Sequence, residues 1–149
     1  MKRALFLGGT GTISEAVCAL AAQRGWELTL VNRGRSADRA PQGKVLAKRS
    51  FDVVADFIAF TPADVQRDIE LFEGRTGQYL FISSASAYQK PITALPITES
   101  TPLYNPYWKY SQDKIACEDV LNAQMRKSGF PVTIVRPSHT YCERKVPLA

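Results

Sequence analysis

The chain has 149 residues, of which 45% are hydrophobic and 22% are charged, with a net charge of +5. This composition predicts one globular domain with a buried core and excludes a disordered chain. The apolar runs are too short to span a bilayer, and three distant cysteines do not form a disulfide framework. We expect a cytoplasmic protein without a membrane segment.

The first forty residues predict a strand, a glycine turn, a helix and a second strand. Residues 4–7 form an apolar run that stops at glycines, and residues 13–24 carry apolar side chains at helical spacing before Gly25. Residues 27–31 form the next apolar run. This order and length are typical of a βαβ unit.

The remaining chain continues the alternation of strands and helices. Strands are predicted within 51–60, 78–83 and 132–135, with a short one around Val45 and Leu46. One helix is predicted from Pro62 to Phe72 and another over 107–127, whereas the prolines of segment 91–106 interrupt regular structure. The pattern predicts a doubly wound, mostly parallel α/β sheet (Rossmann-type) of about five to six strands.

A glycine-rich turn between the first strand and helix is the first candidate site. Glycines allow the backbone to approach a pyrophosphate, and the free N–H groups of a helix start point at the anion. An ordinary turn is the alternative, but the strand–turn–helix context favours dinucleotide binding. The residues concerned are Gly8, Gly9, Thr10, Gly11, Thr12, Ile13 and Ser14. Ser14 stands where such turns often have a third glycine, so a slightly looser contact between helix and strand is expected.

A basic segment follows the second strand. Between Asn32 and Arg49 the chain carries six positive charges and one negative, which equals the net charge of the whole protein. An acidic residue at the end of this strand would accept the ribose 2′-hydroxyl, but here Asn32 is neutral, and Arg33 and Arg35 could bind a 2′-phosphate. The segment favours NADP over NAD, and a solvated arginine-rich loop is the alternative.

Two further groups of residues could carry acid–base chemistry. Tyr110 and Lys114 lie four residues apart and share one helical face, where the ammonium would lower the pKa of the phenol. Hydroxyl residues from Ser83 to Ser86 follow a predicted strand, at the edge of the sheet where ligands bind. Taken singly, Tyr110 and Lys114 are better explained as a surface pair, and the serines as a turn whose side chains bond their own backbone.

In combination these features resemble the short-chain dehydrogenase/reductase superfamily, and within it the extended branch of NAD(P)-dependent epimerases and dehydratases. The matching segments are residues 81–88, 107–114 with Glu118, and 135–141. The resemblance implies that Ser84 is the active-site hydroxyl, Tyr110 the acid–base and Lys114 its electrostatic partner, which also holds the cofactor ribose. It also implies that three more residues line the cofactor cleft: Ala59, Pro137 and Ser138.

The resemblance implies hydride transfer on a secondary alcohol or ketone, such as a nucleotide sugar, with NAD(P) as cofactor. Because Ala85 and Ser86 follow Ser84 without a carboxylate, we favour an epimerase or reductase over a dehydratase. The match is to a shortened form: only about 18 residues separate Asn32 from Phe51, and residues 1–149 correspond to the NAD(P)-binding domain without the substrate-binding portion. Cys142 stands where glycine is common.

Partners and alternatives follow from the same resemblance. A homodimer formed through the helices at 62–72 and 107–127 is expected. A lone histidine makes a metal site unexpected. The alternative functions are a non-catalytic dinucleotide-binding protein, which the basic segment permits to associate with RNA, or an inactive cofactor domain. Nucleic acid remains the less favoured partner, since no aromatic stacking platform accompanies the basic residues.

Overall fold

The computed structural model describes residues 1–31 and 49–141, which form a parallel sheet with helices on both faces. The strands are β1 (Arg3–Leu7), β2 (Glu27–Val31), β3 (Val53–Asp56), β4 (Tyr79–Ile82) and β5 (Val132–Val135). The helices in the described residues are α1 (Thr12–Gln23), α2 (Pro62–Phe72) and α3 (Lys109–Ser128), with a short 3-10 helix at Ala85–Ala87. The strand order is β2-β1-β3-β4-β5, and every pairing is parallel. The α/β fold expected from the sequence is confirmed.

The core lies on both faces of the sheet because successive strand residues point to opposite sides. Leu5 and Leu7 of β1 belong to the larger cluster, which α2 and α3 cover with residues such as Phe72 and Leu121. Phe6 points to the other face and packs in a smaller cluster with α1. Strands buried on both faces explain why the sequence shows continuous apolar runs rather than alternation.

Local signals fix the start of α2. The backbone N–H of Asp64 donates to the Thr61 hydroxyl at 3.4 Å, and the Asp64 carboxylate accepts the Thr61 N–H at 3.0 Å. Pro62 occupies the first helical position, where a missing N–H costs nothing. The predicted bounds of this helix agree with the structure.

Other boundaries differ from the sequence-based expectation. The strand expected within 51–60 ends at Asp56, since the Asp56 carboxylate accepts the N–H groups of Ile58 (2.8 Å) and Ala59 (3.0 Å) and turns the chain. The helix expected from 107 begins at Lys109, because Trp108 before it has an extended backbone with φ −132° and ψ 112°. The strand expected around residue 45 lies outside the described residues.

Candidate functional site: a cleft at the carboxyl edge of the sheet

The glycine turn begins at a position that only glycine can occupy. Gly8 has a φ of +88°, and a Cβ atom there would lie 2.2 Å from Cγ2 of Ile58. Its N–H donates to the Val31 carbonyl at 2.7 Å, which ties the turn to the end of β2. The turn therefore lies close against the segment that follows β3.

Gly11 is the N-cap of helix α1, and Ser14 closes the first turn of this helix. The buried Ser14 hydroxyl accepts the Gly11 N–H at 2.8 Å and donates to the Gly11 carbonyl at 3.3 Å. The Ser14 hydroxyl thus adds two hydrogen bonds at the start of α1 that a glycine could not make, and the slightly looser contact between helix and strand stays a prediction. The N–H groups of Thr12 and Ile13 belong to the first helical turn, which has no carbonyl one turn earlier to accept them.

A cleft of about 420 Å³ opens beside this turn. Its lining comprises the residues Gly8, Thr10, Gly11, Thr12, Ile13, Ser14, Phe57, Ile58, Ile82 and Thr140. A backbone that approaches closely and the positive end of a helix dipole fit the pyrophosphate of a dinucleotide. The sequence analysis missed Phe57, Ile58, Ile82 and Thr140, although their positions at or after strand ends were a usable signal.

Lys114 lies buried between β3 and β4. It is 2% exposed, and its ammonium donates to the carbonyls of Ala59 at 2.6 Å and Ile82 at 2.7 Å. The Nζ atom lies 4.8 Å from the ring centre of Phe60 and 4.6 Å from that of Phe81. Burial lowers the pKa of Lys114, and nearby groups including Asp56 oppose the shift.

Tyr110 is half-buried one helical turn before Lys114. The Lys114 Nζ atom lies 5.9 Å from the Tyr110 ring centre, and the Tyr110 ring packs 6.2 Å from Phe60 and 4.8 Å from Trp108 between ring centres. Burial raises the pKa of Tyr110, and the Ser84 hydroxyl beside it offsets part of this shift. The expected lowering of the Tyr110 pKa by Lys114 is not found in this structure, because burial of the phenol has the larger effect.

Ser84 belongs to a series of hydroxyl groups after β4. Its hydroxyl shares a 2.8 Å hydrogen bond with that of Ser86, which in turn accepts the Ser111 hydroxyl at 2.8 Å. The Asn105 amide donates to the Ser86 carbonyl at 2.8 Å and holds this turn from the other side. The structure thus brings Ser84, Tyr110 and Lys114 together at one edge of the sheet.

A buried ion pair between Glu118 and Arg136 stabilises this edge of the sheet. Glu118 is fully buried and accepts hydrogen bonds from the guanidinium of Arg136, at 2.6 Å for the shortest, and from the Ser83 hydroxyl. Arg136 also donates to the Tyr88 hydroxyl at 3.2 Å, and the Glu118 hydrogen bonds raise its pKa. The pair joins α3 to the segments after β4 and β5.

The other residues expected at the cofactor cleft have different placements. Ala59 is buried beside Lys114, and the Pro137 carbonyl accepts the Ala85 N–H at 2.9 Å, whereas Ser138 is exposed. Asn32, Arg33, Arg35 and Cys142 lie outside the described residues. Within the described part of the chain, no group of three or more metal-binding side chains occurs. No helix among the same residues is both long and apolar enough to cross a membrane.

A family model decides where the chain belongs. The model of the NAD dependent epimerase/dehydratase family matches residues 69–148, which is more than half of the sequence. The chain is a member of this family. A search of curated proteins gives no match.

Solved structures share the fold. The dTDP-glucose 4,6-dehydratase of Bacillus anthracis, in complex with NAD, is 18% identical with a TM-score of 0.76 and covers 91% of this chain and 54% of its own. The UDP-glucose 4-epimerase of Brucella ovis, in complex with NAD, is 22% identical with a TM-score of 0.76, and the match covers 91% of this chain and 51% of the epimerase. The RMD protein of Pseudomonas aeruginosa, complexed with NADPH, is 21% identical with a TM-score of 0.69, and the match covers 93% of this chain and 54% of the RMD protein. The family member therefore spans about half the length of these proteins.

Proposed function

We propose that this family member binds a nicotinamide dinucleotide in the cleft and acts as an epimerase or reductase on a secondary alcohol or ketone. The main support for this proposal is that Ser84, Tyr110 and Lys114 lie together at the edge of the sheet that also forms the cleft. Ile82 links the two, since its side chain lines the cleft and its carbonyl accepts the Lys114 ammonium.

Each side chain has a role in this proposal. Tyr110 removes the proton from the substrate hydroxyl, or returns it, while the Ser84 hydroxyl donates a hydrogen bond to the same oxygen. The Lys114 ammonium would hold the cofactor ribose through the hydrogen that it does not donate to the carbonyls of Ala59 and Ile82. When bound, the cofactor would supply the acceptor or donor of the hydride that leaves or joins the substrate carbon.

The choice of cofactor rests on two kinds of support. Of the three similar structures described above, two hold NAD and one holds NADPH, which supports a nicotinamide dinucleotide in general. Asn32, Arg33 and Arg35 favour NADP, because an arginine can neutralise the 2′-phosphate that an acidic residue would repel. Titration with NADPH and NADH tests this preference, and equal affinity or tighter NADH would contradict it.

The substrate is proposed as a nucleotide sugar or a related small molecule. Two of the similar structures are named for sugar-nucleotide reactions, a UDP-glucose 4-epimerase and a dTDP-glucose 4,6-dehydratase. Ala85 and Ser86 follow Ser84, so no carboxylate stands there to promote elimination of water. We therefore favour epimerisation or reduction over dehydration.

Replacement of Tyr110 by Phe tests the catalytic proposal. Loss of the phenol should lower turnover at least about 100-fold, the usual scale of acid–base assistance, and leave cofactor affinity nearly unchanged. Tyr104→Phe is the matched control, since this tyrosine is exposed and should lose little activity. Retained turnover in Tyr110→Phe would contradict the role assigned to Tyr110.

A second candidate is a dinucleotide-binding protein without catalysis of its own. The observation that favours it is that burial raises the pKa of Tyr110, while the Lys114 ammonium donates to two backbone carbonyls. This candidate predicts cofactor binding without turnover on any alcohol or ketone. An association with RNA would appear as binding that weakens steeply with salt and persists at saturating cofactor.

We also propose a homodimer, with α2 and α3 of each copy at the contact. Neighbouring helices from two copies would form a four-helix bundle at this interface. Sedimentation equilibrium should give twice the monomer mass, and a monomer at high protein concentration would contradict the proposal.

A further inference from the structure

Three buried side chains behind the site form a compact polar cluster. Asp56 comes from the end of β3, Tyr79 from β4 and Asp68 from α2, and all are at most 4% exposed. The Tyr79 hydroxyl oxygen lies 2.9 Å from Oδ2 of Asp56 and 2.8 Å from Oδ2 of Asp68. None of these residues has a role in the function proposed above.

The distances require a proton beyond the one that the phenol carries. A tyrosine hydroxyl has one hydrogen, so it donates to one carboxyl group and must accept from the other. If both carboxyl groups were ionised, a carboxylate oxygen would face the phenol oxygen with no hydrogen between them, away from water. The cluster therefore holds one carboxyl proton.

The surroundings place this proton on Asp68. Asp56 accepts two backbone N–H groups in addition to Tyr79, which is the pattern of a carboxylate. Asp68 has Tyr79 and the Asp56 carboxyl as its hydrogen-bond partners, and burial together with the charge of Asp56 raises its pKa to about 8. Arg67, on the same helix, opposes this shift weakly, because its side chain is exposed and donates to Asp64.

Asp56 connects the cluster to the site through the backbone. Its Oδ1 atom accepts the Ala59 N–H at 3.0 Å, and the Ala59 carbonyl accepts the Lys114 ammonium at 2.6 Å. The same oxygen accepts the N–H of Ile58, whose side chain packs against Gly8 and lines the cleft. From α3, the charged group of Lys114 also faces Asp56.

We propose that Asp56 is a positioning residue for Lys114 and for the Ile58 wall of the cleft, and that the proton on Asp68 keeps Asp56 in this position. The second half of the proposal, a dinucleotide affinity that falls when this proton leaves, rests on the proposed function. Loss of the proton puts two buried carboxylates side by side, and their repulsion is relieved only if one of them moves. Movement of Asp56 would release Ile58 and Ala59 together.

The protonation itself is measured without any cofactor. The ¹³C resonances of aspartate side chains, followed from about pH 5 to about pH 9, should show one carboxyl group that titrates near pH 8. Asp68→Asn should remove this transition, because the amide can still donate a hydrogen bond but cannot ionise. Asp119→Asn, an exposed position on α3, is the matched control and should keep it.

Binding of NADPH and NADH at the same pH values tests the link to the cleft. In the wild-type protein the Kd should rise at least about threefold as the pH is raised from about 7 to about 9. The midpoint of this rise should fall at the same pH as the midpoint of the Asp68 titration. Asp68→Asn should flatten this profile, Asp56→Asn should weaken binding at every pH, and Asp119→Asn should match the wild type. If Asp68 had a purely structural role, Asp68→Asn would be less stable than the wild type but would keep the wild-type pH profile of the Kd.

The outcomes separate this proposal from the proposed function. If neither dinucleotide binds at any pH, the proposed function is wrong, and the Lys114 side-chain resonance becomes the readout, since it must follow the Asp68 titration. If Asp68→Asn does not fold, the test uses the wild-type protein alone: the pH profile of the Kd must have the same midpoint as the titration of the Asp68 carboxyl group. An Asp68 that titrates near the ordinary value for aspartate, or a Kd profile unchanged in Asp68→Asn, overturns the proposal.

Discussion

The two sides of the sheet are packed to different degrees. On the α1 side, Ser14 is the one fully buried residue of the helix, whereas Leu20 is 47% exposed and Leu30 of β2 is 43% exposed. On the other side, α2 buries four residues and α3 buries five, among them the polar groups of Asp68, Lys114 and Glu118. Burial of so many polar groups requires that each has partners in fixed positions.

This difference in packing corresponds to two parts of the proposed site, the glycine turn and the acid–base group. The glycine turn lies on the α1 side, where the helix buries fewer residues, and the side chains of the acid–base group lie on the densely packed side. Regions with few buried contacts open at low free-energy cost, whereas reacting groups need a fixed geometry. We therefore expect substitutions on the two sides to differ in their effect on stability.

The largest contrast should come from apolar truncations. Phe72→Ala, in the main core, should lower the free energy of unfolding by about 3–5 kcal/mol, whereas Leu20→Ala on α1 should cost less than about 1 kcal/mol. Urea denaturation measures both. Similar losses for the two variants would mean that the two sides are equally packed in solution.

Removal of the buried ion pair should have the next largest effect. Glu118→Ala leaves the Arg136 guanidinium and the Ser83 hydroxyl without their partner and should cost about 3 kcal/mol. Glu70→Ala, at an exposed position of α2, should cost less than about 0.5 kcal/mol. A double-mutant cycle with Arg136→Ala should show coupling, and additive losses would contradict the pairing.

The glycine turn gives a smaller effect with a closely matched control. Gly8 and Gly25 both have positive φ, so an added side chain costs about 1 kcal/mol at either position. Gly8→Ala also places a Cβ atom against Ile58, while Gly25→Ala meets no atom within 4 Å. Gly8→Ala should therefore be the more destabilising of the two in urea denaturation and should alone weaken dinucleotide binding.

The pH dependence of stability gives a further test near neutral pH. The folded protein keeps the Asp68 proton up to a pKa of about 8, whereas the unfolded chain loses it near 3.8. Between these values the folded state binds more protons, so raising the pH favours unfolding until the loss levels off above the folded pKa.

This dependence is checked by urea denaturation from about pH 6 to about pH 8, where the unfolding midpoint should fall. Asp68→Asn should show a smaller decrease than the wild type over the same range. Parallel pH profiles for the two proteins would show that Asp68 does not hold the proton.

Much of the site follows from local signals, but its details do not. Tyr110 and Lys114 share a helical face by spacing alone, and Ser84 follows a strand that the apolar pattern identifies. Nothing local shows that the Lys114 ammonium is bound by the carbonyls of Ala59 and Ile82, because these residues are 55 and 32 positions away. Nor does spacing show how far Tyr110 is buried, and this burial raises the pKa that the sequence predicted to be lowered.

By itself, the sequence determined the strand–helix alternation, the start of α2 at Thr61 and Pro62, and the glycine turn, because periodicity and capping act between residues a few positions apart. The tertiary structure alone decided that the Tyr79 hydroxyl lies within hydrogen-bonding distance of both Asp56 and Asp68 and that Glu118 pairs with Arg136. Such groups come from separate strands and helices, and their charges depend on burial and on partners that only the assembled sheet brings within hydrogen-bonding distance.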